Sequence, residues 1–292
     1  MGKHAYLIIA HNEFDVLERL LSMLDYSEND IYLHIDKKVQ QFDKHAFQMC
    51  VKKSKLVILD NRVDVQWGNF TQIECELRLL EAAIPGEYEY YHLLSGVDLP
   101  LKPQKVIHDF FEKNKGTEYI QFMSPDINKE AYNRVAKYHF FAKRKKSVVE
   151  KILDRICLSG QFMIDRTKKS GLTYQKGANW FSITHELAQY VVSQREVIER
   201  YFLYTICGDE MFLQTIVASS QFIDSVSHNN YSDNYETICY CIDWKRGNPY
   251  IFTIEDYNQL LESNQLFARK FSWVRDKEII CALQRYVKDG DV

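Results

Sequence analysis

The chain lacks the loops that hold phosphate through backbone alone. Neither Gly-x-Gly-x-x-Gly nor Gly-x-x-x-x-Gly-Lys occurs in its 292 residues, which argues against a dinucleotide enzyme and a P-loop kinase. His-Glu-x-x-His and Gly-x-Ser-x-Gly are also missing, the latter arguing against an α/β-hydrolase. The seven cysteines, at 50, 75, 157, 207, 239, 241 and 281, form no Cys-x-x-Cys pair and no disulfide framework. Free thiols in a reducing compartment are the simplest account. A strand over 237–242 would turn Cys239 and Cys241 to one face, as packing rather than as metal ligands. No run approaches the ~20 apolar residues of a transmembrane helix. The apolar stretch Ala5–Ala10 is too short for a signal peptide, and no cleavage site follows it. Net charge is −3 without a long basic stripe, so nucleic acid is not an expected partner. These absences give the expectation of a cytoplasmic protein, peripheral at the inner face of a membrane if its substrate is lipid-linked.

What is present is alternation. Ala5–Ala10 is continuously apolar, as a parallel strand buried on both faces requires. Phe14, Leu17, Leu20, Leu21 and Leu24 follow at helical spacing. Further strands are expected at 31–35, 55–59, 90–94 and 119–123, and further helices at 71–83, from Pro103 to about 112, at 186–192 and at 209–217. Strand, helix, strand repeated in this way predicts an α/β fold with a mostly parallel central sheet covered by helices. His11, Asp36 and Asp98 fall at carboxyl ends of predicted strands, where such sheets bind ligands. Residues 124–170 differ, being rich in Lys, Arg and Tyr and including Lys143-Arg144-Lys145-Lys146. That run reads as a solvated helix face, or as a cover that meets an anionic or lipid-linked substrate. Without repeats or low-complexity stretches, 1–292 is taken as one domain with a variable 124–170 segment. The 19 Tyr and 17 Phe suit a carbohydrate cleft, but equally a Tyr-rich core.

The titratable residues leave alternatives open. Asp36 is placed to bond a ribose or base, or to cap its strand. Asp209-Glu210, after Gly208, supplies either an acidic helix start or a capping carboxylate followed by a general base. The one Asp-x-Asp pair, Asp289-Gly290-Asp291, lies at the frayed end. No internal pair offers the close carboxylates that a diphosphate-bound metal needs. A nucleotide diphosphate would then be met by cations, from Lys245-Arg246-Gly247 or Ala268-Arg269-Lys270-Phe271.

In order and spacing, seven segments resemble one family: Ala5–His11, Leu33–Lys37, Trp67-Gly68, His92–Lys102, Gly177–Phe181, Gly208–Phe212 and Leu266–Phe271. The chain resembles, from about residue 4 to about 285, the core-2/I-branching β-1,6-N-acetylglucosaminyltransferases and related peptide xylosyltransferases, including bacterial members. The resemblance implies a GT-A-like fold and inverting, metal-independent transfer from a UDP-sugar, with UDP-GlcNAc as the expected donor. By position, Ile9, Ala10 and His11 would line the uracil pocket and Asp36 would hold base or ribose. Glu210 would be the catalytic base, while Arg246 and Lys270 would neutralise the diphosphate. Asp98 is read as shaping the donor site or as a structural turn. Trp180 is read as an acceptor platform or as core. The expected partners are a UDP-sugar and a glycan or lipid-linked glycan acceptor, in bacterial surface polysaccharide synthesis, with no cofactor and no metal. UDP-xylose transfer and a non-catalytic sugar-binding module remain open.

Overall fold

The apolar run at the N-terminus becomes the middle of the molecule. The computed structural model describes residues 2–142, 147–227, 231 and 235–290. Five strands form the main sheet: β1 (His4–Ala10), β2 (Asn29–Ile35), β3 (Lys55–Ile58), β4 (Tyr90–Ser95) and β6 (Ser182–Thr184). Their order is β3-β2-β1-β4-β6, parallel except for β6. A three-stranded sheet, ordered β5-β8-β7, is built from β5 (Asp98–Pro100), β7 (Tyr240–Ile242) and β8 (Phe267–Arg269).

In chain order the helices begin with α1 (Phe14–Leu24), α2 (Lys44–Met49), α3 (Thr71–Ala83), α4 (Gln104–Lys113), α5 (Lys129–Ala136) and α6 (Val148–Ser159). They continue with α7 (His185–Ser193), α8 (Arg195–Phe202), α9 (Phe212–Ala218), α10 (Tyr257–Glu262) and α11 (Lys277–Asp289).

The alternation of a strand divides β1 between two cores. Tyr6, Ile8 and Ala10 pack with α1, α11 and the small sheet. Ala5 and Leu7 pack on the other face with α3, α7 and α9. Burial on both faces is why β1 reads as an unbroken apolar run. The mostly parallel, helix-covered α/β sheet expected from the sequence is the one observed.

Three local expectations need correction. Residues 119–123 add no strand: Tyr119 makes a single bridge to Ser182, and Glu118 one to Val226. The place beside β4 belongs to β6, and the Gln121 carbonyl instead lies against Gly177. The 209–217 helix is broken at Met211 (φ −138°), leaving a 3-10 turn at Gly208–Glu210 before α9. Cys239 lies outside β7 in a left-handed conformation (φ 60°), so it does not alternate with Cys241 along a strand. The basic run 143–146 and Asp291 lie outside the described residues. Among those described, no helix is long and apolar enough to cross a membrane.

Candidate active site

From β1 the chain builds outward to β2 and β3, then crosses back to place β4 on the other side of β1. Ligands of open α/β sheets lie at such a reversal, beyond the strand carboxyl ends. The strand ends approach closely there because position 96 has no side chain. A Cβ on Gly96 would stand 2.7 Å from that of Ala10. The Gly96 N–H donates to the Ile9 carbonyl, and the Asp36 N–H to the Ala10 carbonyl, both at 2.9 Å. Ala10 is buried as a whole residue, with its carbonyl taken by the Asp36 N–H, and Ile9 is half-buried. His11 stands exposed on the rim. Desolvation pulls its imidazole below the ordinary value; Asp36 opposes this, and Lys38 and Arg269 add to it. The buried Asp36 carboxylate caps its own loop, accepting from the Lys38 N–H at 2.8 Å and lying 3.2 Å from Lys38 Nζ.

Asp98 turns out to be a buried hub. Its side chain has no exposure, and its oxygens accept from four residues. Oδ2 takes the Ser95 N–H at 2.7 Å, Trp180 Nε1 at 2.9 Å and the Tyr240 hydroxyl at 3.3 Å. Oδ1 takes the Ser95 hydroxyl at 2.7 Å and Arg269 Nη1 at 2.8 Å. Both oxygens of Asp98 are thus engaged by protein donors. Trp180 is half-buried and engaged as well: besides its bond to Asp98, one ring face lies under the Arg269 guanidinium, 4.5 Å from the ring centroid. One face of its ring is thus occupied, while the residue keeps partial exposure.

Glu210 ends the 3-10 turn with its side chain partly exposed. Oε2 accepts from Arg134 Nη1 at 3.0 Å and lies 3.6 Å from Lys176 Nζ, leaving Oε1 with no hydrogen-bond partner among the described residues. Its backbone carbonyl takes the Gly177 N–H at 2.9 Å. Behind it two carboxyls are buried. Burial first, then Glu210, pushes Asp209 up to about 7. Burial first, then Asp209, pushes Glu76 well above the carboxylate range. Glu76 accepts from Gln72 at 3.2 Å through Oε1, while its Oε2 is buried without a hydrogen-bond partner among the described residues. Of three neighbouring acids, the outermost is the one held by cations.

One short segment joins the two clusters. Lys176 meets Glu210, and Trp180 meets Asp98. Gly177 permits this path, because a Cβ there would fall 1.8 Å from the Gln121 carbonyl oxygen. Four residue steps span at most about 14 Å, so Lys176 and Trp180, which touch the two clusters, lie close together along the chain.

Lys270 follows Arg269 and is half-buried, with no ion pair among the described residues. Desolvation first, then Arg269, lowers its pKa. Arg246 is not comparably available. It pairs with Asp243 at 2.5 Å and Asp256 at 2.7 Å and stacks 4.0 Å over Tyr250. Tyr250 links it to Lys270, whose N–H donates to the Tyr250 carbonyl at 3.5 Å. A cavity of about 1230 Å³ runs along β7, lined by Tyr235, Trp244 and Gln259 among others, and includes neither Glu210 nor His11. Among the described residues no three His, Cys, Asp or Glu side chains cluster as a metal site would require.

Sequence reasoning missed Arg134, Lys176 and Glu13. Arg134 lies in the stretch whose helix faces look like ordinary solvated charge. Glu13 adopts φ 53° and accepts from the Ser272 hydroxyl at 2.7 Å and the Trp273 N–H at 2.9 Å, tying β1's exit to the Arg269–Lys270 segment. A contact across some 260 positions leaves no local pattern to read.

The chain is similar to several known proteins. Xylosyltransferase 2 of Canis lupus familiaris is 22% identical over 298 residues, covering 94% of this chain and 32% of that protein. Xylosyltransferase 2 of Homo sapiens is 23% identical over 300 residues, with 94% and 32% covered. Human xylosyltransferase 1 is 20% identical over 305 residues, with 97% and 30% covered. The chain thus spans about a third of the length of these relatives. The crystal structure of mouse xyloside xylosyltransferase 1 in its apo form aligns at 11% identity with a TM-score of 0.39, covering 91% of this chain and 96% of that one. The model of the Core-2/I-Branching enzyme family matches residues 4–261, most of the chain, and the protein belongs to that family.

Proposed function

We propose that the protein is an inverting glycosyltransferase that moves a sugar from a UDP-sugar, UDP-GlcNAc in the first instance, to a hydroxyl of a glycan acceptor. The observation that carries this reading is a partly exposed, cation-held carboxylate, Glu210, in a chain whose β8 end also carries a lysine without an ion pair among the described residues, Lys270; the two are proposed to face one sheet-edge crevice. Uridine would lie against Ile9, Ala10, His11 and Asp36. Glu210 Oε1 takes the proton of the acceptor hydroxyl. The acceptor oxygen bonds to the anomeric carbon from the face opposite the diphosphate, whose oxygen leaves with the bonding pair. Lys270 meets that developing charge. Arg246 joins it only by exchanging a carboxylate partner for phosphate, while Arg269 remains on Asp98. Protein cations thus take the part a divalent ion plays elsewhere.

The acceptor is proposed to be a growing surface polysaccharide or its lipid-linked precursor, handled in the cytoplasm. A panel of UDP-sugars scored by UDP release, with EDTA and with Mn²⁺, tests donor and metal together. Turnover with UDP-GlcNAc that survives EDTA is expected. Preference for UDP-xylose would replace the donor. Activity lost in EDTA and restored by Mn²⁺ would overturn the cation mechanism.

A further inference from the structure

Helix α6 carries its amphipathicity inside out. Its N-terminus is fixed by a capping box between Ser147 and Glu150, so the helix is locally well specified. The residues turned toward the body are Glu150, Asp154, Cys157 and Leu158, all partly buried. The residues turned away are Val148, Val149, Ile152, Leu153 and Ile156, exposed by 42–73%. At 100° per residue these five sweep an arc of about 140°. Lys151 and Arg155, both exposed, border that arc on one side. Phe162 and Met163, 83% and 82% exposed, continue the apolar surface past the helix end. An apolar face this continuous marks an interaction surface rather than the scattered apolar exposure of an ordinary monomer.

Charge identifies the occupant. From Lys137 to Lys169 the sequence holds ten Lys and Arg against three carboxylates, a formal +7 within a chain whose total is −3. Among the described cations, Lys151, Arg155, Lys168 and Lys169 are exposed. An uncovered apolar stripe with cations at its border is what an interfacial helix presents to an anionic bilayer: the apolar side chains enter the acyl boundary and the long cationic ones reach the headgroups. A second copy of the chain would instead bring a second set of like charges against the first.

We infer that the outward face of α6, with Phe162 and Met163, docks the protein onto an anionic lipid surface. The inference needs no assumption about catalysis. It is tested by flotation of the full chain with phosphatidylcholine vesicles, with and without phosphatidylglycerol, at low and high salt. Binding to the anionic vesicles is expected, falling with salt. Neutral vesicles and the Ile152→Glu/Ile156→Glu variant should each bind about tenfold more weakly or worse. Both substituted positions are exposed, so the variant should keep the parent's melting temperature, which is measured alongside. Three results overturn the inference: no binding to anionic vesicles at low salt, equal binding by the folded variant, or a concentration-dependent dimer that the variant abolishes.

Discussion

Removing the carboxylate of Asp98 should unfold the crevice rather than merely weaken ligand binding. The group is fully buried and accepts from Ser95, Trp180, Tyr240 and Arg269. Asp98→Ala strands the Arg269 guanidinium with an uncompensated charge and leaves the indole N–H and backbone N–H short of an acceptor. Losing one partner of a buried ion pair costs about 3–5 kcal/mol. With an unfolding entropy of about 2 cal/mol/K per residue over 292 residues, this lowers the melting temperature by about 5–8 °C. Asp98→Asn should fall in the same direction, because its amide hydrogens face donors. Scanning calorimetry of both variants measures the shift. The reasoning is refuted if Asp98→Asn melts within about 1 °C of the parent while its UDP affinity collapses, since that pattern belongs to a residue touching the donor.

Three further outcomes follow from the same geometry. Gly177→Ala drives a methyl into the Gln121 carbonyl and should cost about 3 kcal/mol in chemical denaturation; an unchanged midpoint would contradict the described path. Asp209 has its folded pKa raised to about 7 from 3.8, so its contribution to stability is fully present below 3.8 and is lost as pH rises through 7. Between pH 5 and pH 8 the parent should lose about 2–3 kcal/mol that Asp209→Asn does not lose, read from urea midpoints at both values. Lys270→Ala removes a cation with no ion-pair partner among the described residues, so the fold should hold while the Kd for UDP rises about tenfold or more, measured by titration calorimetry.

The sheet was legible because its physics is local. Continuous apolarity marks β1, and periodic Ile73, Leu77 and Leu80 mark α3, which spans the expected 71–83. The strand ends therefore located His11 and Asp36. The segment 119–123 misled because its β-rich composition describes a buried extended chain equally well whether or not a ladder forms. At 209–217, apolar spacing predicts a helix but is blind to a break at one residue, and that break leaves Glu210 at the end of a 3-10 turn rather than inside α9. Partnerships were least legible. Nothing in Ala268-Arg269-Lys270-Phe271 tells that Arg269 turns inward to Asp98 while Lys270 stays unpaired. Nor does Lys245-Arg246-Gly247 show that two carboxylates already hold Arg246. Such pairings are decided by tertiary distance, which one-dimensional spacing does not encode.

The most direct test of the account is the turnover of Glu210→Gln with its donor affinity measured in parallel. The substitution keeps size and hydrogen bonding to Arg134 but removes the proton acceptor. The account predicts kcat lower by about 10²-fold or more, with UDP-sugar Kd within a few-fold of the parent. Near-parental turnover would show that another group takes the acceptor's proton and would contradict the assignment.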